Sequence, residues 1–165
     1  MRAIAGVVIG LVADVDPATP ALKVTFPWME PAQTSNWAPI ATLMAGNNRG
    51  SYFMPEQGDE VLVAFEHGNF DHPFVVGFLW NGVDTPPAND PQLRLLRSRN
   101  GHEIAIYDPD PLGGDEGYVK ISDAHGNVVK LSNAELTITG LASLKIEAPV
   151  VTINGRTVAP IADPI

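Results

Sequence analysis

His67 and His72 bracket Asp71 in the segment His67-Gly68-Asn69-Phe70-Asp71-His72, and two imidazoles beside a carboxylate are groups that a transition metal takes. Their spacing matches neither His-x-His on one strand face nor His-x-x-x-His on a helix, so the pair reads as two exposed loop histidines. His102 and His125 are equally isolated along the chain. The tract from Asp108 to Glu116 is rich in carboxylates, the hard donors that calcium prefers, but it lacks the alternating Asp/Asn pattern and closing Glu of a calcium loop. Turn chemistry accounts for its Pro and Gly. Glu56, Asp59 and Glu60 could supply the paired carboxylates of a glycosidase, yet the apolar strand that follows makes them loop and surface groups. There is no Cys nucleophile, no Gly-x-Ser-x-Gly elbow, no phosphate-cradling Gly loop and no second His of a zinc protease. The chain reads as a non-enzyme with no catalytic residue, no metal ligand and no cofactor.

Phe26, Trp28, Trp37, Tyr52 and Phe53 could form a stacking platform for the bases of a single strand. A groove for a polyanion should also be basic, and near these residues only Lys23 and Arg49 carry positive charge. The formal net charge of −9 repels phosphate backbones. Core and subunit-contact roles fit these aromatics better, and nucleic acid is not expected as a partner.

The elements that hold these residues must be strands. The 165 residues include 15 Gly and 15 Pro, well above the roughly 12% of average usage. The longest run free of both is Asn127 to Thr139, and it alternates with period two. No stretch approaches a membrane span and the N-terminus lacks a secretory signal, so the chain is expected to be made as a soluble cytoplasmic protein. With no Cys, its core or association with other chains must hold it together.

In the first half, Ile4 to Val15, Ala21 to Phe26, Trp37 to Leu43, Glu60 to Glu66 and Pro73 to Trp80 read as five short strands, with Gly6 and Gly10 where a sheet can bend. That is the strand count of a small barrel of the oligonucleotide/oligosaccharide-binding (OB) type, placed at residues 1–85. Residues 86–100 read as a linker, with Pro86-Pro87 and Asn89-Asp90-Pro91 marking the change. Beyond it, after Ile104 and Ile106, apolar pairs two residues apart recur as Val119/Ile121, Val129/Leu131, Leu136/Ile138, Leu144/Ile146 and Val151/Ile153. Lys120, Lys130, Thr137, Lys145 and Thr152 fall between them and point to the other face. Units of seven or eight residues are too short for one coil of a single-chain solenoid, which needs about 20. Three copies wound about an axis would bury the pairs at its centre; an ordinary antiparallel meander packed on the barrel is the alternative arrangement.

Together these segments resemble the phage baseplate assembly protein V family and the C-terminal part of VgrG spike proteins. The resemblance is carried by Val24-Thr25-Phe26-Pro27-Trp28, Ser35-Asn36-Trp37-Ala38, the run Pro55 to Glu66, the run Gly68 to Gly77, Asn81-Gly82, and Arg97 to Ile104. It implies an N-terminal five-stranded OB-fold barrel followed by a short trimeric intertwined β-helix, a triangular prism spanning residues 101–165. Its three-fold axis would be lined by the five apolar pairs from Val119/Ile121 to Val151/Ile153. The implied role is the homotrimeric central spike of a contractile tail or injection machine, docked under a baseplate hub protein and touching the target envelope only during injection. Some members carry a lysozyme domain between barrel and needle, a place taken here by the linker. Only five residues precede Gly6, so the hub is expected as a separate protein, in a phage tail, tailocin or extracellular injection particle. Short spikes of this family end in His-x-His and bind iron at the tip, whereas no His lies beyond His125. A metal-free end is therefore expected, capped by a separate PAAR-type tip protein docking on Thr152, Ile153, Thr157 and Val158. Pro160 and Pro164 remove donors there, and Val158, Ile161 and Ile165 would leave a blunt apolar end. The competing function is a monomeric OB-fold module that binds saccharide or single strands.

Overall fold

The computed structural model describes residues 3–114 and 116–158; Asp115 of the carboxylate tract and the C-terminal Pro160, Ile161, Pro164 and Ile165 lie outside the described residues. Among the described residues there is no α-helix, and the fold is all β. The chain divides into two units, Met1–Pro86 and Pro87–Ile165.

The first unit contains β1 (Val7–Val15), β2 (Ala21–Phe26), β3 (Gln33–Thr34), β4 (Ala38–Pro39), β5 (Ala45–Gly46), β6 (Arg49–Gly50), β7 (Glu60–Phe65) and β8 (Pro73–Leu79). Its main sheet runs β3-β2-β1-β7-β8, with β4 also pairing β2. Alternation along β2 and β7 turns Leu22, Val24, Phe26, Val61, Val63 and Phe65 inward, where they meet Val12, Ala38 and Val75 in one core. Each large side chain so buried stabilises the unit by about 1.5–3 kcal/mol relative to exposure. Phe26, Phe65 and Phe70 form an aromatic cluster with centroids 5.4–5.7 Å apart. Gly10 on β1 sits against this core: a Cβ there would collide with Val24 Cγ1 and lie 3.2 Å from Phe26 Cδ1. The absence of a side chain lets β1 cross closely over β2.

The motif residues have local structural work. Ser35, 5% exposed, accepts from Val24 N through its hydroxyl (3.0 Å) and donates to Asn36 O (2.6 Å), replacing ladder bonds where β3 ends. Trp28 Nε1 donates to Ile9 O at 2.9 Å. Asp16 closes the first hairpin by accepting from Ala18 N and Thr19 Oγ1.

The third strand expected over Trp37 to Leu43 shrinks to β4. After Pro39 the chain reaches β8 through one parallel bridge, Ile40 to Val75, and one bond from Ala41 N to Val75 O (2.8 Å). The sheet thus doubles back around its core without closing into the five-stranded barrel expected. Pro39 has no N–H to donate, so a continuous ladder cannot pass through it.

The second unit is built on an antiparallel meander of β9 (Leu93–Arg97), β10 (Glu103–Tyr107), β11 (Tyr118–Ser122), β12 (Val128–Ser132) and β13 (Glu135–Thr139), in the order β13-β12-β11-β10-β9. β9 falls inside the segment read as a linker. Asn133 and Ala134, both at positive φ, make the two-residue turn between β12 and β13. Asn154-Gly155 does the same between β14 (Thr152–Ile153) and β15 (Arg156–Thr157).

The meander also departs from the regular repeat. Leu144 and Ile146, expected on a strand of about five residues, lie in an irregular segment, and the last pair retains only the two-residue β14. A strand exists by virtue of its neighbour: among the described residues no strand pairs with residues 140–150, and Pro149 lacks a donor.

Candidate functional site

In the meander the apolar pairs meet in register. Ile104 faces Ile121 and Ile106 faces Val119 across β10 and β11; Val119 faces Leu131 and Ile121 faces Val129 across β11 and β12; Val129 faces Ile138 and Leu131 faces Leu136 across β12 and β13. The result is two parallel rows of Val, Ile and Leu running across four strands on one face. All eight side chains are 36% to 61% exposed. Leu96 on β9, opposite Ile104, extends the patch, with Arg94 opposite Ile106 at its edge, while Leu93 and Leu95 turn to the other face.

The opposite face satisfies itself. Ala105, Lys120, Lys130 and Thr137 lie in one row across the strands. Glu103, with its side chain 19% exposed, receives Arg97 at 3.3 Å and Lys120 at 3.7 Å. Lys130 sits over the Tyr118 ring at 5.0 Å, and Tyr118 stacks on Tyr107, whose hydroxyl donates to Gln92 Oε1. Lysine stems and aromatic rings cover this face, so Ala105 is the one fully buried side chain of the meander. Along β10 to β12 the polar side is therefore the more covered of the two and the apolar side the more exposed, whereas on β13 both sides are exposed.

Of the axis candidates, Val119, Ile121, Val129, Leu131, Leu136 and Ile138 share this face. Leu144 and Ile146 lie on the irregular segment, Val151 just before β14, and Ile153 on β14. The four tip candidates fall together on one small hairpin: Thr152 pairs with Thr157, Ile153 with Arg156, and Val158 N donates to Val151 O at 2.7 Å.

The loop joining β11 and β12 is held by Asp123. Its carboxylate accepts from Asn127 Nδ2 (2.6 Å), Asn127 N (2.8 Å) and His125 N (2.9 Å). These bonds, the Asn127 side chain foremost, lower its pKa to about 2. Asn127 Oδ1 in turn accepts from Leu141 N at 3.0 Å, fixing the exit of β13. His102 and His125, isolated in the sequence, come together with ring centroids 6.1 Å apart, and His102 Nδ1 accepts from Ala124 N. His67 and His72 remain apart from any metal-ligating group of three, and none occurs among the described residues.

The stacking platform does not assemble. Phe26 is fully buried, Lys23 lies over the Trp37 ring at 4.8 Å, and Tyr52 and Phe53 stand apart on the segment after β6. Glu56, Asp59 and Glu60 sit at a turn where Asp59 Oδ2 accepts from Glu56 N.

Residues 8–80 match the family described as the type VI secretion system/phage-baseplate injector OB domain. The first unit is thus similar to an injector OB domain. The chain is also similar to VgrG spike proteins. The chain is 29% identical over 130 residues to the type VI secretion spike protein VgrG1a of Pseudomonas aeruginosa, covering 71% of this chain and 20% of that one. It is 31% identical over 109 residues to VgrG5 of the same organism (64% and 13%), and 34% identical over 70 residues to VgrG3 of Vibrio cholerae (40% and 7%). The chain thus spans a fifth or less of the length of these relatives. It is related to the baseplate and spike proteins of contractile injection systems, as its motifs imply.

Proposed function

We propose that the chain assembles as a homotrimer and serves as the central spike of a contractile tail or injection-machine baseplate. The OB domain docks beneath a hub protein, and the second unit supplies a short needle that enters the target envelope when the sheath contracts. The role is mechanical, not enzymatic. The chain is made in the cytoplasm and built into a phage tail, tailocin or extracellular injection particle. A PAAR-type protein caps the end at Thr152, Ile153, Thr157 and Val158.

The observation that carries this reading is the register-matched apolar face, exposed on all four strands β10 to β13. A sheet in that state requires a covering surface, and three copies related by a three-fold axis can each supply one wall of a prism. In such an assembly Leu144, Ile146, Val151 and Ile153 gain the strand neighbours that one chain lacks. Light scattering tests it directly. One chain is 17.6 kDa, and the spike requires three, about 53 kDa. A monomer at all concentrations would favour the saccharide- or strand-binding module instead.

A further inference from the structure

Every residue from Ala41 to Gly50 is exposed, and this stretch carries the two-stranded β5–β6 hairpin. A hairpin of two residues per strand is marginal in water by itself. It nevertheless presents Leu43, 94% exposed, and Met44 to solvent, with Tyr52 and Phe53 at its base. Arg49 lies back over Gly46, where a Cβ would meet its Nε at 2.8 Å, and its guanidinium has no ion pair among the described residues.

Two clefts meet at this base, sharing Phe53, Met54 and Phe78. The larger, about 1240 Å³, runs under the arm, and Arg49 is its one charged residue. The smaller, about 590 Å³, is walled by Trp80 and Val83 and carries three carboxylates, Asp59, Glu60 and Asp84, with no Lys, Arg or His. Asn81 Nδ2 donates to both Glu60 (3.3 Å) and Asp84 (3.1 Å), holding the two together without neutralising either. One flank of the OB domain therefore has a cationic, apolar arm with nothing to cover it beside an anionic, apolar cleft with nothing to fill it.

We propose that the arm of one copy docks into the acidic cleft of the next, Arg49 against Asp59, Glu60 and Asp84, with Leu43 and Met44 on the aromatic walls. Arm and cleft are different surfaces of the same chain, and in the three-fold assembly proposed above each arm meets the cleft of the next copy, closing a ring. Opposite charges fix which surfaces meet and in what order. The proposal takes the number of copies from the trimer above but places a second contact in the OB domain, independent of the meander.

The test uses full-length chain by sedimentation equilibrium, in urea that half-dissociates the wild type. Arg49→Glu alone and Glu60→Lys with Asp84→Lys should each weaken association at least about tenfold. Combining all three substitutions in one chain should restore it, and mixing the two weakened variants should recover part of it. Thermal melts matching wild type for the OB domain show that folding is intact; a variant that melts early is replaced by Arg49→Gln or Asp84→Asn, which should weaken association in the same direction. A wild-type trimer unchanged by either variant overturns the arm contact and leaves the spike standing. Weakening with no rescue in the combined variant also overturns it, because Arg49 would then answer to some other partner.

Discussion

Val129 and Ile138 stand directly opposite one another on β12 and β13, 36% and 52% exposed. One residue away, Thr137 opposes Lys130 on the polar face and is itself exposed. The two faces of β13 therefore predict opposite responses to the same charge. In the proposed trimer, Ile138→Asp would bring three carboxylates together away from water, and repulsion with desolvation should abolish assembly. Thr137→Asp should stay within about 0.5 kcal/mol of wild type and remain trimeric. Equal melting temperature and mass for the two variants would refute the three-fold arrangement.

Gly10 gives a prediction confined to the OB domain. Gly10→Ala places a methyl against Val24 Cγ1 and should destabilise the unit by about 1–3 kcal/mol through overpacking. Chemical denaturation should find a lower midpoint with an unchanged slope.

Asp123 predicts an acid-side signature. Its pKa is lowered in the folded state to about 2 from 3.8, so its contribution to stability is present above pH 3.8 and is lost as pH falls toward 2. Asp123→Ala should therefore flatten the decline of melting temperature between about pH 4 and pH 2. Asp16, also lowered by its Thr19 and Ala18 bonds, leaves some decline in the variant. A variant with the full wild-type slope would show that the loop bonds do not distinguish the ionised form.

Metal should be irrelevant to stability. Treatment with a chelator is expected to leave melting temperature and mass unchanged, and elemental analysis to find no stoichiometric iron. Iron at one ion per three chains would mean that the end of the spike is sealed by ligands other than a separate cap.

The sequence alone determined what depends on near neighbours. Period-two alternation is a property of successive Cβ directions, so the inward and outward faces of β11 to β13 could be read directly. The similarity to injector OB domains was legible in motifs, several of which turn out to serve local geometry, as Ser35 does for Val24. Tertiary structure decided everything that needs a partner distant in sequence. Leu93–Arg97 became a strand because β10 lay ready to pair with it, although Pro and Asn before it suggested a linker. Leu144 and Ile146 kept their spacing but formed no strand, for lack of a neighbour. His102 met His125, and Asn81 joined Glu60 to Asp84, only once the loops were placed. Side-chain alternation is written residue by residue, but a ladder hydrogen bond needs two strands, and which strands meet is fixed only when the chain folds back on itself.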